Sequence, residues 1–317
     1  MAQITIIGLG LIGGSLGLAL KRAKTPYEIV GYNRSRENAN KAKRVGAVDR
    51  IERDLAESVK SADLVIVATP VGVIPEIFRT IATELPQGCV VSDAASTKAQ
   101  VLAWAGELLP DTVDFVGGHP MAGKETSGID VAEASLFDGA VYCVVPSTRA
   151  SQRAIETITG LASVVGATPY FIDATEHDSH VAAISHLPFV AATALVNVAT
   201  GATAWRDIAR LAASGFRDTT RLASGDPVMY RDIVGSNRES LIRWIDAYVT
   251  ELTAIRSQIQ AGEDTESVFR RAQQARDEWQ RRKPDGGEPN GPAIELPSTS
   301  ERLSSLFFPT RRKPDSR

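Results

Sequence analysis

The stretch Ile4-Thr5-Ile6-Ile7-Gly8-Leu9-Gly10-Leu11-Ile12-Gly13 decides the fold. A short β-branched run leads into a GxGxxG motif, and the motif opens an apolar segment that reads as a helix from Ile12 to Arg22. In that setting Gly8 allows a tight turn, Gly10 lets a pyrophosphate approach the backbone, and Gly13 lets helix and strand pack closely. The helix N-terminus supplies backbone N–H groups and a dipole that favour an anion. Gly8, Leu9, Gly10, Leu11, Ile12 and Gly13 are therefore candidate contacts to a dinucleotide.

Outward from this motif the first half alternates between two patterns. Strands are expected at Gln3 to Gly8, Glu28 to Asn33, Asp63 to Thr69, Cys89 to Asp93, Asp114 to Gly117, Val141 to Val145 and Pro169 to Ile172. Each is short and apolar, as a strand buried on both faces should be. Helices are expected between them at Arg36 to Val45, at Lys98 to Leu108 and after Ser151. The alternation predicts an α/β Rossmann-type domain, with a mostly parallel sheet, over residues 1–172.

From Asp173 the strand signal stops. Leu241, Ile245, Tyr248, Leu252, Ile255 and Ile259 recur by threes and fours along one helix face. Val268, Ala272, Ala275 and Trp279 form a second stripe after a break at Gly262, with Asp264 as its cap. Residues 173–282 are accordingly expected to be an all-helical C-terminal domain for substrate binding and dimerisation. The proline-rich, aperiodic tail 283–317 is expected to be disordered, and its Leu306-Phe307-Phe308 cluster to be a chance apolar patch.

Composition narrows the function. With 35 basic and 38 acidic residues the net charge is −3, which argues against nucleic acid or an anionic membrane as partner. The two cysteines, Cys89 and Cys143, suit a reducing compartment, and the expected location is cytoplasmic. Residues 4–20 are uncharged, but glycines interrupt them and the basic pair Lys21-Arg22 follows the run instead of preceding it, unlike a signal peptide. Residues 181–205 are also uncharged, yet they contain Pro188, Asn197 and His186, and read as a helix buried in the protein or in a dimer.

The end of the second strand selects the dinucleotide. An acidic residue there would bind the ribose hydroxyls of NAD, whereas this chain has Asn33-Arg34-Ser35-Arg36. Asn33 does not repel a 2′-phosphate, and Arg34, Arg36 and the Ser35 hydroxyl offer it charge-assisted hydrogen bonds, so NADP is favoured over NAD. His119, in Gly117-Gly118-His119-Pro120-Met121-Ala122-Gly123 just after a strand, is placed to remove a hydroxyl proton during hydride transfer. Asp93-Ala94-Ala95-Ser96-Thr97-Lys98 brings a hydroxyl and an ammonium to the same edge.

These motifs, with Ala68-Thr69-Pro70, Glu125-Thr126-Ser127-Gly128, Ser185-His186-Leu187-Pro188 and Gly215-Phe216-Arg217-Asp218 through Arg221 to Asp226-Pro227, make the chain resemble the prephenate and arogenate dehydrogenase family of tyrosine biosynthesis. The resemblance runs from the N-terminus to about residue 260. It implies oxidation of the ring carbinol of prephenate, or alternatively arogenate, with loss of the ring carboxylate as CO2. It makes His119 the acceptor of the hydroxyl proton, Ser96 the residue that orients that hydroxyl, and Arg221 the grip on a substrate carboxylate. It adds His186 and Glu125 to the substrate side, and Thr69 and Ser96 to the cofactor side. Many relatives have a second histidine three residues after His186, where this chain has Phe189, a change that would favour arogenate. At position 124, where hydroxyl residues also occur in the family, Lys124 would either add an anion contact or only be solvated.

His177 and His180, with Glu176, Asp178 and His186, invite a metal-site reading, but hydride transfer needs no metal, and the two are expected on a helix surface or interface. Two other classes compete with the family reading. A different hydroxyacid dehydrogenase or an imine reductase would rely on a residue of the helical half and would not need the GGHP loop. A non-enzymatic NADP-binding protein would need neither His119 nor Arg221.

Overall fold

The computed structural model describes residues 2–282; the expectations for the tail, Leu306-Phe307-Phe308 included, lie outside the described residues. Residues 2–178 together with Ser224–Ser236 form one compact unit, and Ser179–Ala223 with residues 237–282 form a second.

The first unit is built on an eight-stranded sheet of β1 (Gln3–Ile7), β2 (Glu28–Tyr32), β3 (Arg50–Ile51), β4 (Leu64–Val67), β5 (Val90–Asp93), β6 (Asp114–Pro120), β7 (Val141–Pro146) and β8 (Thr168–Phe171). The spatial order is β3-β2-β1-β4-β5-β6-β7-β8. All neighbours are parallel except β6 and β7. Successive strands are added on one side of β1 up to β3 and on the other side from β4, so the order reverses at β1/β4, the position where such sheets bind ligands beyond their carboxyl ends. Helices cover both faces. Alternation along each strand divides the core: Ile4, Ile6, Ile29, Leu64 and Ile66 face one layer, while Ile7, Val65, Val67 and Val91 face the other. The uncharged run 4–20 is thus β1 and most of the buried helix Leu11–Arg22.

Three details differ from the sequence expectation. The two-residue strand β3 carries no periodicity of its own and exists through its pairing with Val30 and Gly31. Strand β6 runs on to Pro120 where Gly117 was the expected end, because β7 pairs with it antiparallel and places Cys143 opposite His119. His119 is therefore on the strand and not after it. At the sheet edge, β8 has Tyr170 and Phe171 exposed and is not buried on both faces.

The second unit is helical throughout. Residues Ala174–Thr200 are the one run among the described residues long and apolar enough, by length and composition, to cross a membrane, and 28% of its most apolar window is buried. The chain makes a wide π-helical turn at Ala182–His186 before the helix Leu187–Thr200. Pro188, which has no N–H to give the preceding turn, lies just beyond this irregularity, after Leu187. The helix Arg238–Ala261 carries the expected stripe, with Leu241 buried but Tyr248, Leu252 and Ile259 exposed. It stops at Gly262, and the Glu266 N–H donates to Asp264 Oδ1 at 2.9 Å to cap the helix Glu266–Arg282.

Candidate active site

The parallel strands deliver Gly8, Asn33, Thr69 and Ser96 to one edge of the sheet, immediately after β1, β2, β4 and β5, with His119 near the same end of β6. Gly8 has φ +96°, in the left-handed region, and a side chain there would strike the Ala68 carbonyl oxygen. A Cβ on Gly13 would lie 1.9 Å from the Gly8 oxygen, so only glycine allows the helix to start this close to the strand. Gly10 is different: a Cβ there would meet nothing within 4 Å. Beside this opening Thr69 Oγ1 is buried with no hydrogen-bond partner. An open backbone at a helix N-terminus and an orphaned hydroxyl both fit a dinucleotide, whose phosphates accept and whose polar groups can pair with the threonine.

Asn33 works inward. Its Oδ1 accepts from the Leu9 N–H at 3.0 Å, and its Nδ2 donates to the Ser35 carbonyl at 3.2 Å, so the side chain fastens the glycine loop to the end of β2. Ser35 Oγ accepts from the Asn38 N–H at 3.3 Å and caps the helix Arg36–Arg44, a structural duty that the sequence reading had not given it. Arg34 and Arg36 are exposed and make no hydrogen bond or ion pair within the described residues.

The centre of the first unit is a buried polar cluster. Lys98, fully buried, pairs with the equally buried Asp93 and donates to the Gly118 carbonyl at 2.8 Å. Asp93 in turn accepts from the Ala95 N–H at 2.9 Å and the Gly118 N–H at 3.3 Å. The Lys98 ammonium is thus not presented at the edge, as the sequence reading expected, but locks β5 to β6 one residue before His119. Ser96 stays half-buried, without a hydrogen bond within the described residues, and neighbouring Thr97 Oγ1 meets Ser236 Oγ at 2.9 Å.

His119 is 9% exposed, and its Nδ1 lies 2.9 Å from His177 Nε2. His177 Nδ1 lies 2.8 Å from Asp178 Oδ1, and the Asp178 carboxylate also accepts the N–H groups of Lys98 and Ala99 at 2.7 and 2.9 Å. His177 is 1% exposed, which corrects its assignment to a helix surface; His180 is exposed as expected. The available signal was scarcity, since the chain has only four histidines and three of them lie between 177 and 186. Among the described residues no group of three His, Cys, Asp or Glu is arranged to hold a metal.

The other candidates divide by exposure. Lys124 donates to the Val131 carbonyl at 3.1 Å and pairs with Glu133 at 3.1 Å, so its ammonium ties together the segment between β6 and β7. Glu125 is exposed on the same segment. In the second unit, His186 is buried, with Nδ1 3.2 Å from Asn237 Nδ2. Phe189 is buried with its ring 5.9 Å from the His186 ring, so the position of the missing histidine is filled by packing. Arg221 is exposed and begins the 3₁₀ turn Arg221–Ser224.

Removing one member of a buried ion pair leaves an uncompensated charge. Lys98→Met is expected to lower unfolding stability by about 3–5 kcal/mol, read from denaturant titration. An unchanged midpoint would rule out the structural role given to this lysine.

With this geometry in view, the chain was compared with known proteins. Residues 16–170 match the prephenate dehydrogenase nucleotide-binding domain and residues 173–274 the prephenate dehydrogenase dimerization domain. Prephenate dehydrogenase of Bacillus subtilis is 35% identical over 278 residues, covering 86% of this chain and 74% of the relative. The crystal structure of prephenate dehydrogenase from A. aeolicus in complex with hydroxyphenyl propionate and NAD+ superposes with TM-score 0.83 at 28% identity, covering 88% of this chain and 98% of that one. Arogenate dehydrogenase from Synechocystis superposes with TM-score 0.73 at 29% identity, over 88% and 99%. The chain belongs to the prephenate dehydrogenase family and is an NAD(P)-dependent oxidoreductase.

Proposed function

We propose that this protein oxidises prephenate to 4-hydroxyphenylpyruvate in the cytoplasm, as a homodimer, with His119 as the general base and NADP as the preferred cofactor. The observation that carries the reading is His119 itself: a buried histidine on β6, at the edge of the sheet where the glycine loop lies. The glycine loop Gly8 to Gly13 would hold the dinucleotide, whose nicotinamide would supply the acceptor for hydride from the ring carbinol carbon. His119 accepts the carbinol hydroxyl proton as the C–H bond breaks, and Ser96 orients that hydroxyl. Arg221 holds a substrate carboxylate, a task suited to a planar guanidinium fork. His186 and Glu125 complete the substrate side. Loss of the ring carboxylate as CO2 leaves an aromatic phenolate, to which His119 returns its proton. The step therefore consumes no net proton, and aromatisation makes it effectively irreversible.

Arogenate oxidation is the second reading, favoured by Phe189. An apolar ring stands where many relatives have a histidine, and it removes one polar contact for the side-chain end of the substrate. Initial rates with each substrate and each cofactor separate these alternatives; inactivity with both substrates would overturn the proposal.

The exposed Arg34 and Arg36 support NADP. Because Asn33 already holds Leu9 and Ser35, the clean test is Arg34 alone. NADP is expected to be favoured over NAD about tenfold in kcat/KM, the worth of one charged hydrogen bond at an exposed site. Arg34→Ala should abolish that preference while leaving the NAD rate unchanged, and equal efficiencies in the unmodified enzyme would show both arginines to be merely solvated.

His119→Asn is expected to lower kcat by about 100-fold or more, with cofactor binding retained in a fluorescence titration. Near-unchanged turnover across the pH range would sink the base assignment.

The dimer reading rests on the dimerization-domain match and on the exposed Tyr248, Leu252 and Ile259. Sedimentation should give a dimer at micromolar concentration, and Leu252→Glu should shift it toward monomer. A stable unmodified monomer would refute this assembly.

A further inference from the structure

We propose that His177 and Asp178 are positioning residues that fix the tautomer of His119 and stabilise its protonated form. This inference rests on His119 being the base. An ionised carboxylate only accepts hydrogen bonds. The Asp178 carboxylate accepts the N–H groups of Lys98 and Ala99, at the start of the helix Ala99–Leu108, and is an acceptor toward His177 as well. His177 Nδ1, 2.8 Å from Asp178 Oδ1, must therefore carry the hydrogen. In a neutral imidazole the other nitrogen is then an acceptor, so His177 Nε2 accepts, and His119 Nδ1 at 2.9 Å donates. His119 Nε2 is left as the basic nitrogen of its ring. The chain Asp178–His177–His119 thus selects one of two tautomers by geometry, and it is closed to solvent: the three residues are 4%, 1% and 9% exposed.

The same chain acts on charge. When His119 Nε2 takes the substrate's hydroxyl proton, one O–H bond breaks and one N–H bond forms. The positive ring then donates through Nδ1 to His177, which donates to the Asp178 carboxylate. No proton moves to either partner; both hold His119 and polarise toward it.

From β5, Asp93 accepts the N–H of Gly118, the neighbour of His119, and is paired with Lys98. From β7, Cys143 lies opposite in register, its thiol pushed up to about 11 by burial, and the adjacent Tyr142 phenol is also pushed up by burial, so both remain neutral. Glu176 and His180, on the helix that carries His177, are exposed. Asp178 is therefore the anion coupled to His119 by a direct chain of bonds.

Steady-state rates across pH for the full-length enzyme test this. Removing the acceptor in His177→Leu should lower kcat roughly tenfold or more. It should also lower the pKa of His119, which must be unprotonated to work. The acidic limb of kcat/KM then moves to lower pH, by about one unit. His177→Gln, whose carbonyl can still accept from Nδ1–H, should recover much of kcat. In a His119→Asn background, His177→Leu should cost little more, because it acts through His119. An undiminished additional loss in that background, an unmoved acidic limb, or a Gln variant no better than Leu would overturn the proposal while leaving the base assignment standing. Unchanged turnover in His119→Asn alone would overturn the base assignment first, and this inference with it.

Discussion

A buried ammonium holds the catalytic edge in place. Lys98 sits in the protein interior, where a lone charge would be costly, and it is tolerated because Asp93 and the Gly118 carbonyl surround it. The pairing has three consequences. It fastens the end of β5 to β6 beside His119. Through the backbone N–H groups of Lys98 and Ala99, the same turn receives the Asp178 carboxylate. Between those two anchors, the loop after β5 must present Ser96 at the sheet edge. The position of the proposed base, the orientation of its histidine partner and the proposed orienting hydroxyl thus all depend on one turn of six residues, Asp93 to Lys98.

At the nucleotide end the constraint is steric. Gly8 and Gly13 bring backbone against backbone where no side chain fits, and Asn33 ties the loop between them to β2. This revises how the Asn33-Arg34-Ser35-Arg36 segment would discriminate between cofactors. Two of its side chains are engaged in the fold, Asn33 as a strut and Ser35 as a helix cap, and any reading of the 2′ position falls to the arginines. An aspartate at position 33 could still accept from Leu9, but it would lose the donor to the Ser35 carbonyl and set a carboxylate against it. Converting such an enzyme to an NAD pattern therefore costs loop stability as well as changing charge.

What the sequence revealed and what it hid follow from locality. The glycine motif, the apolar strands and the stripe from Leu241 to Ile259 are local patterns with fixed periods, and they were legible. Strand β3 was not, since two residues have no period and pair only because β2 is there. The antiparallel β7, which extends β6 through His119, is equally invisible, because strand direction is a property of the pair. His177 was misread for the same reason: spacing along its own helix says nothing of a partner 58 residues earlier. Lys98 was misread because a lysine is ordinarily exposed, and its exception needed Asp93 and Gly118 together in space. His119 was legible as the candidate base, but the nitrogen proposed to act could be argued only from the chain of partners behind it.

These two kinds of residue also differ in what a change costs. His119, His177, Asp178, Asp93 and Lys98 are buried and mutually bonded, so altering one leaves another's polar atom unsatisfied in a low-dielectric interior. Arg34 and Arg36 are exposed and make no hydrogen bond or ion pair within the described residues, so substitution there has little effect on folding. The polar groups around His119 are thereby held by the fold, whereas the arginines proposed to read the cofactor phosphate stand in solvent. Phe189 lies on the boundary between these classes. It is buried like a structural residue but occupies a position where relatives carry a polar one, so exchanging it must repack the His186 ring as well as alter recognition. Substrate preference at that position is consequently coupled to stability in a way that cofactor preference at Arg34 is not.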